Sequence, residues 1–496
     1  MAERICADMG WDFGATFRYQ FRLSRHRWQP HETWQANRIG DWHLAHCPDL
    51  PCHDVILSDG TKAGLVLGTA VDALGQMLNG EARISEGASL QHVQAYIEGL
   101  AGRFIAILHL NAENRVYFDP TAGLSAVYSR QDRALASSVH MLLDRDIIPE
   151  PAVGADAVLK REAQFLLGET CDAECRRVMA NHFLDLNTFE LGRHWPKPDE
   201  RFDQGGRDRA AVARQIADRL SQILGALASG ASVALPLSAG TDSRILLAAA
   251  TPHLSRIDSF YTHDIYRVTR FDRQGAQLLA DLTGVSLQVI DRAAPEFTDF
   301  MNDEDLEDLR SRMAVRTGLA FNGIDAATTR AVSLTPGTDL VLRGNVAHMT
   351  RANKWTLQSA RHGASVEDGL AALLNVRAEH LSDRLEPARL KSLRARYAAW
   401  AESLPEGVRT RLPDLAHAEV FMPTAPNNVY YAFTRNFYLN PFNDRHLINL
   451  TAWFHPLARK KGRLVMKIIG HANPALNGVP YLRDLKRAAR GAMAAG

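Results

Sequence analysis

The sequence predicts a two-domain α/β chain, in which a strand-rich amino-terminal domain precedes a parallel-sheet domain with many helices. Three observations lead there. The first two hundred residues carry short apolar stretches bounded by turn formers, a polar Pro/Gly-rich segment follows, and beyond it strand-like and helix-like segments alternate. A chain of 496 residues also exceeds what one hydrophobic core usually serves.

Taken in order, Ala63 to Ala70, Arg103 to Leu110 and Arg115 to Asp119 read as strands. Asn181 to Trp195 has the form of two short strands around Asn187-Thr188. Pro196, Pro198 and Gly205-Gly206 then mark a boundary between a domain over residues 1–200 and another over 206–496. Val212, Ile216, Leu220, Ile223, Leu224 and Leu227 are spaced for one face of a helix that ends at Gly230. Val233 to Leu237, Ile257 to Thr262 and Ser286 to Ile290 read as strands, separated by helices over Arg244 to Ala250 and Asp272 to Thr283. From Pro295 onward helical patterns dominate, interrupted by a strand at Leu340 to Leu342.

Composition narrows the function classes. Lys plus Arg (57) nearly cancels Asp plus Glu (56), so no broad basic field for nucleic acid is expected, and the partner is a small molecule or peptide. No run reaches the roughly 18 apolar residues a membrane span requires, and Met1 to Phe13 does not read as a secretory signal. Five cysteines without such a signal point to reduced thiols and a cytoplasmic location. His43, His46, Cys47, Cys52 and His53 cluster in sequence, but no paired C-x2-C knuckles occur and no zinc is expected.

The chemistry-bearing segment is Leu237-Ser238-Ala239-Gly240-Thr241-Asp242-Ser243-Arg244, where the first strand of the parallel sheet turns into a helix. Such a turn exposes unpaired N–H groups at the positive end of a helix dipole, a place that holds phosphate. Small residues at 238, 239 and 240 let the backbone approach oxyanions, and Ser238 and Ser243 can donate. Asp242 opposes bare phosphate, so its expected role is to hold Mg2+ on the phosphates. Ser and Asp also cap helices in ordinary buried turns; the strand before and the helix after favour the phosphate reading.

The segment resembles the S-G-G-x-D-S pyrophosphatase loop of ATP-splitting enzymes, with Ala239 replacing a glycine. No Gly-Lys-Ser/Thr follows, which fits cleavage between the α and β phosphates. Gly102-Arg103-Phe104, Phe118-Asp119-Pro120-Thr121-Ala122-Gly123 and Ala136-Ser137-Ser138 look like the amino-terminal domain of glutamine-dependent asparagine synthetases. Pro441-Phe442-Asn443-Asp444 and Lys467-Ile468-Ile469 look like segments of their carboxy-terminal domain. The resemblance implies an amino-terminal Ntn-type sandwich of two antiparallel sheets and a carboxy-terminal pyrophosphatase-loop (adenine nucleotide α-hydrolase-like) domain. It also implies that Leu237 and Thr262 hold adenine and that Gly344 lies beside the nucleotide; each equally suits a core strand or a turn.

Departures shape the expected activity. The family's glutaminase uses a cysteine directly after the initiator methionine, and this chain has Ala2, with Cys6 four residues late. Where the family has S-G-E-G-x-D, this chain has Arg343-Gly344-Asn345-Val346-Ala347-His348, so His348 replaces a magnesium ligand and could meet pyrophosphate directly. The expectation is therefore an AMP-forming carboxylate–amine ligase, similar to β-lactam synthetases and lasso-peptide cyclases, that uses ATP and Mg2+ without hydrolysing glutamine. Asp242, His348 and Lys467 are its candidate catalytic residues, with Tyr261 a further candidate for the amine proton. A nucleotide-binding regulatory homologue without turnover is the alternative. A tRNA-modifying enzyme would share the loop, but the balanced charge and missing zinc knuckles argue against it.

Overall fold

The computed structural model describes every residue except 85, 86, 88, 155–164, 203–207, 319–324, 425–431 and 496, and the side chains of 491–495. The Gly205-Gly206 part of the expected boundary lies outside the described residues.

The amino-terminal part holds two sheets. One has six strands in the order 175–177, 127–129, 134–136, 21–24, 42–46 and 35–39; the other has seven in the order 190–193, 182–185, 113–118, 101–110, 62–71, 52–56 and 81–83. Pairing is antiparallel except between 52–56 and 81–83. Lys62–Val71 and Ala101–Leu110 are buried along almost their whole length, as uninterrupted apolar runs should be when both faces of a strand are covered. Gly102 has φ +132°, and a Cβ there would sit 2.3 Å from the Thr69 carbonyl oxygen, so the paired backbones require glycine. The expected pair around Asn187-Thr188 is the hairpin His182–Asp185 with Glu190–Arg193.

The carboxy-terminal part holds a five-stranded parallel sheet with many helices. We label its strands β1 (Val233–Pro236), β2 (Ser259–Asp264), β3 (Leu287–Asp291), β4 (Leu340–Leu342) and β5 (Phe437–Leu439). Four helices matter below: α1 (Arg209–Gly230), α2 (Thr241–Ala250), α3 (Thr269–Thr283) and α4 (Arg463–Ala472). The strand order is β3-β2-β1-β4-β5. β5 was not expected; it adds a three-residue edge strand to the helical region. Among the described residues no helix is long and apolar enough to cross a membrane.

The two parts share a core and a buried polar junction. One apolar cluster runs from Phe21, Leu65 and Phe118 through Leu220 and Leu235 to Ile468. Asn443 donates to the Gly102 carbonyl (2.6 Å) and to Asp119 Oδ1 (2.7 Å), while the Gly102 N–H donates to the Asn443 carbonyl (3.0 Å). Asp119, fully buried, also accepts N–H groups from Phe104, Thr121, Gly123 and Leu124. Arg445 donates to the Phe118 carbonyl, and Arg219 pairs with Asp444 at 2.8 Å. A carboxylate with so many donors replaces its lost water, which is what permits full burial.

Candidate functional site

In a sheet of this order the connections leave β1 and β4 in opposite directions, opening a crevice beyond their carboxyl ends. A cavity of about 290 Å³ lies there. Leu237, Ser238, Asp242 and Ser243 line it from the β1–α2 turn, Thr262 and His263 from β2, and Arg343, Gly344, Asn345 and His348 from the segment after β4.

Of the residues singled out in the sequence, Leu237, Ser238, Asp242, Ser243, Thr262, Gly344, His348 and Tyr261 are therefore brought together. Ala239 and Gly240 are not in its lining. Ala239 is fully buried, and a Cβ on Gly275 of α3 would come within 2.4 Å of its own Cβ. Its small side chain thus serves helix packing rather than approach of an oxyanion. Gly240 is the N-cap of α2 and no side chain caps that helix, which leaves its first turn for a ligand. Thr241 faces a second cavity. Lys467 is not brought to the site: α4 buries Leu464, Val465, Ile468 and Ile469, and helical periodicity turns Lys467 to the exposed side. Lys486 instead lies close enough to Asp272, in the cavity lining, to favour its ionised form.

The turn is held by short polar contacts. Ser238 Oγ and Ser243 Oγ are 2.9 Å apart, and the Gly240 N–H donates to Ser238 Oγ. The Ala239 carbonyl accepts the Leu482 N–H from the carboxy-terminal segment. Arg244, fully buried behind the turn, donates to the carbonyls of Leu476, Val479 and Pro480 and stacks on Tyr481 at 3.7 Å. It pins the carboxy-terminal segment to the start of α2.

Asp242 is the electrostatic centre. Arg351 grips it with two nitrogens, Nε at 3.1 Å from Oδ1 and Nη2 at 2.7 Å from Oδ2, and His348 Nε2 lies 3.0 Å from Oδ2. Gly344 packs against the same side chain: a Cβ there would fall 2.7 Å from the Asp242 Cβ. Asp272 faces the cavity too, its carboxyl pushed up by burial although the Ala239 backbone hydrogen-bonds it. Burial, then Arg343, pushes His263 down to about 4, so it is neutral at physiological pH.

As placed here, Asp242 is engaged by side chains, and it is free for the magnesium role expected of it only when Arg351 turns away. Mg2+ demands near-octahedral oxygen ligation, whereas both Asp242 oxygens already face an arginine fork and one also faces an imidazole. Asn345 and His348 stand where the resemblance implied further carboxylates. Among the described residues no group of three His, Cys, Asp or Glu could hold a metal. The guanidinium of Arg351 brings positive charge to Asp242.

Three residues here were not singled out from the sequence, Arg351, Asp272 and His263, and Arg244 was named only as the end of the loop segment. Arg351 meets Asp242 across 109 positions, and no local pattern announces such a pair. Ala2 is buried in a helix over Ala2–Met9, and Cys6 in the same helix is buried with its thiol pushed up by that burial. No protein-family model matches this chain, and no curated protein matches it.

Proposed function

We propose that the protein is an AMP-forming carboxylate–amine ligase whose nucleotide occupies the crevice between β1 and β4. One observation carries the reading: an uncapped helix start, two serine hydroxyls and an aspartate held by Arg351 and His348 meet at one cavity at the reversal of a parallel sheet. The strand order and the 237–244 turn suit the pyrophosphatase-loop, adenine nucleotide α-hydrolase-like fold. The paired antiparallel sheets suit an Ntn-type sandwich over residues 1–200, preceding an asparagine synthetase-like domain over 206–496.

In this reading Leu237 and Thr262 flank adenine, Gly344 lies beside the nucleotide, and Ser238, Ser243 and the first N–H groups of α2 receive the phosphates. A substrate carboxylate oxygen attacks the α-phosphorus and the bond to the β-phosphate oxygen breaks, releasing pyrophosphate. The amine nitrogen then attacks the acyl carbon, loses its proton to a base, and AMP leaves. Arg351 and His348 offset the charge on the departing pyrophosphate, which is the largest kind of contribution such sites make. His348, Tyr261 and neutral His263 line the cavity and can pass the amine proton. Substrates are small-molecule or peptide acids and amines. Buried Cys6 lacks the accessible, thiolate-favouring setting of a nucleophile, which supports synthesis without glutamine hydrolysis.

The test is to mix protein, ATP and pools of acids and amines, and to measure pyrophosphate and AMP. Release of both that depends on the acid supports the ligase, and ADP with phosphate contradicts it. The bidentate Asp242–Arg351 pair favours a second reading, a regulatory homologue that binds nucleotide without turnover. That reading requires saturable ATP binding with no pyrophosphate from any pool.

A further inference from the structure

Beside the nucleotide crevice, past Thr241, lies a second cavity of about 600 Å³. Its wall carries Arg351, Arg459, Lys460, Lys461 and Arg483, and among the described residues no Asp or Glu lines it. Two of these charges are neutralised from outside: Arg459 by buried Asp414 and Arg351 by Asp242. The nearest carboxylate to Arg483, Asp484, is 3.9 Å away. Lys460 donates to the Ala352 carbonyl, and among the described residues neither Lys460 nor Lys461 has a carboxylate partner. Buried Val465, exposed Met466 and Tyr481 supply apolar surface between the charges.

A cluster of cations in a concave site is costly unless something offsets it. Burial, and to a lesser extent the charges of Arg351 and Arg459, push the Lys460 ammonium below its ordinary value. The whole chain is nearly neutral, so this field is local and deliberate in its placement rather than a broad surface property. Its walls are on the scale of a small ligand, not of a nucleic-acid groove. Arg351 lines this cavity and grips Asp242, which lines the other.

We propose that this second cavity binds the acid substrate, and that the acid is a polyanion: a small molecule with at least two negative groups, carboxylate or phosphate, on a partly apolar frame. The assignment as substrate site rests on the adjoining crevice holding the nucleotide. One negative group meets Lys460 and Lys461, and another lies toward Arg351, which contacts Asp242 of the nucleotide crevice.

Titration calorimetry with citrate and with 6-phosphogluconate, each with and without α,β-methylene-ATP, tests it, with glucose as the uncharged control. At least one polyanion should bind saturably and glucose should not; citrate alone binding marks a polycarboxylate, and 6-phosphogluconate alone a phosphorylated acid. The double variant Lys460→Gln/Lys461→Gln should weaken that probe by roughly 10-fold or more, as removal of charged donors does, and leave nucleotide affinity unchanged. Gly344→Val, which crowds Asp242 in the other cavity, should lose nucleotide and keep the probe. Absence of saturable binding at millimolar probe, undiminished binding in the double variant, or direct competition between probe and nucleotide would each overturn the proposal. Nucleotide affinity unchanged in Gly344→Val, with the probe still sensitive to the two lysines, would instead sink the nucleotide crevice and the substrate role built on it, while a polyanion site remained.

Discussion

Two carboxylates organise this molecule, Asp119 directly after a strand and Asp242 in the first turn of a helix, and their surroundings differ in kind. Asp119, at the junction of the two parts, is fully buried and bonded to four backbone N–H groups and the Asn443 amide. Asp242 is 17% exposed, borders a cavity, and is held by the side chains of Arg351 and His348. Backbone donors are fixed by the fold, whereas an arginine and a histidine side chain can turn to a new partner when an anion arrives. Two short motifs built around an aspartate, D-P-T-A-G and T-D-S, therefore place one carboxylate in a closed backbone cage and the other, held by side chains, on a cavity. Three of the segments that resemble the asparagine synthetases outside the loop, around Gly102, Asp119 and Asn443, meet at the junction.

Substitutions should separate the two carboxylates. Asp242→Asn keeps shape and removes charge, so pyrophosphate release should fall by roughly 10²–10³-fold with the melting temperature little changed. Asp119→Ala should give the reverse profile: it strands several buried donors and should cost at least ~3 kcal/mol in denaturant unfolding, with pyrophosphate release per folded molecule preserved. If Asp119→Ala abolished turnover in the folded fraction, the junction would belong to the chemistry and the contrast would collapse. Gly344→Val should displace Asp242 by sterics and, by weakening nucleotide binding, reduce turnover at fixed ATP by about 100-fold.

A smaller effect reports on the wall behind the site. Lys354 lies 3.3 Å from the Phe421 ring centroid and donates to the Ala372 carbonyl, and burial pushes its ammonium down to about 8 from an ordinary 10.5. Between those values the unfolded chain holds the proton and the folded one does not, so stability rises with pH across that window. Lys354→Met should remove the rise; unfolding curves at pH 7.5 and 10.5 for both proteins check it. An identical rise in the variant would mean that another group titrates there.

Much of the fold was legible because buried parallel strands are short apolar runs between turn formers. Leu340–Leu342 was placed to the residue, and the helices at 241–250 and 269–283 begin only three residues earlier than their apolar periodicity suggests. β5 escaped because three residues, Phe437–Leu439, flanked by Asn436 and Asn440 carry no period. In the site, the 237–243 turn and Gly344 were readable as local patterns. Arg351 was not, since its meaning lies in a partner 109 positions away. Lys467 teaches the opposite lesson: likeness to a family segment selected it, although the apolar spacing of Leu464, Val465, Ile468 and Ile469 already turned it outward. The acid cavity was invisible for a third reason, because Arg351, Lys460, Lys461 and Arg483 are gathered only by packing of α4 and the final segment against α2.

The central claim is that ATP occupies the crevice between β1 and β4, and a crystal structure with α,β-methylene-ATP tests it most directly. The predicted result is adenine between Leu237 and Thr262, the phosphates at the start of α2 against Ser238 and Ser243, and Arg351 turned from Asp242 toward phosphate oxygen. Nucleotide bound elsewhere, or a crevice left empty at saturating nucleotide with the Asp242–Arg351 pair intact, would contradict the account.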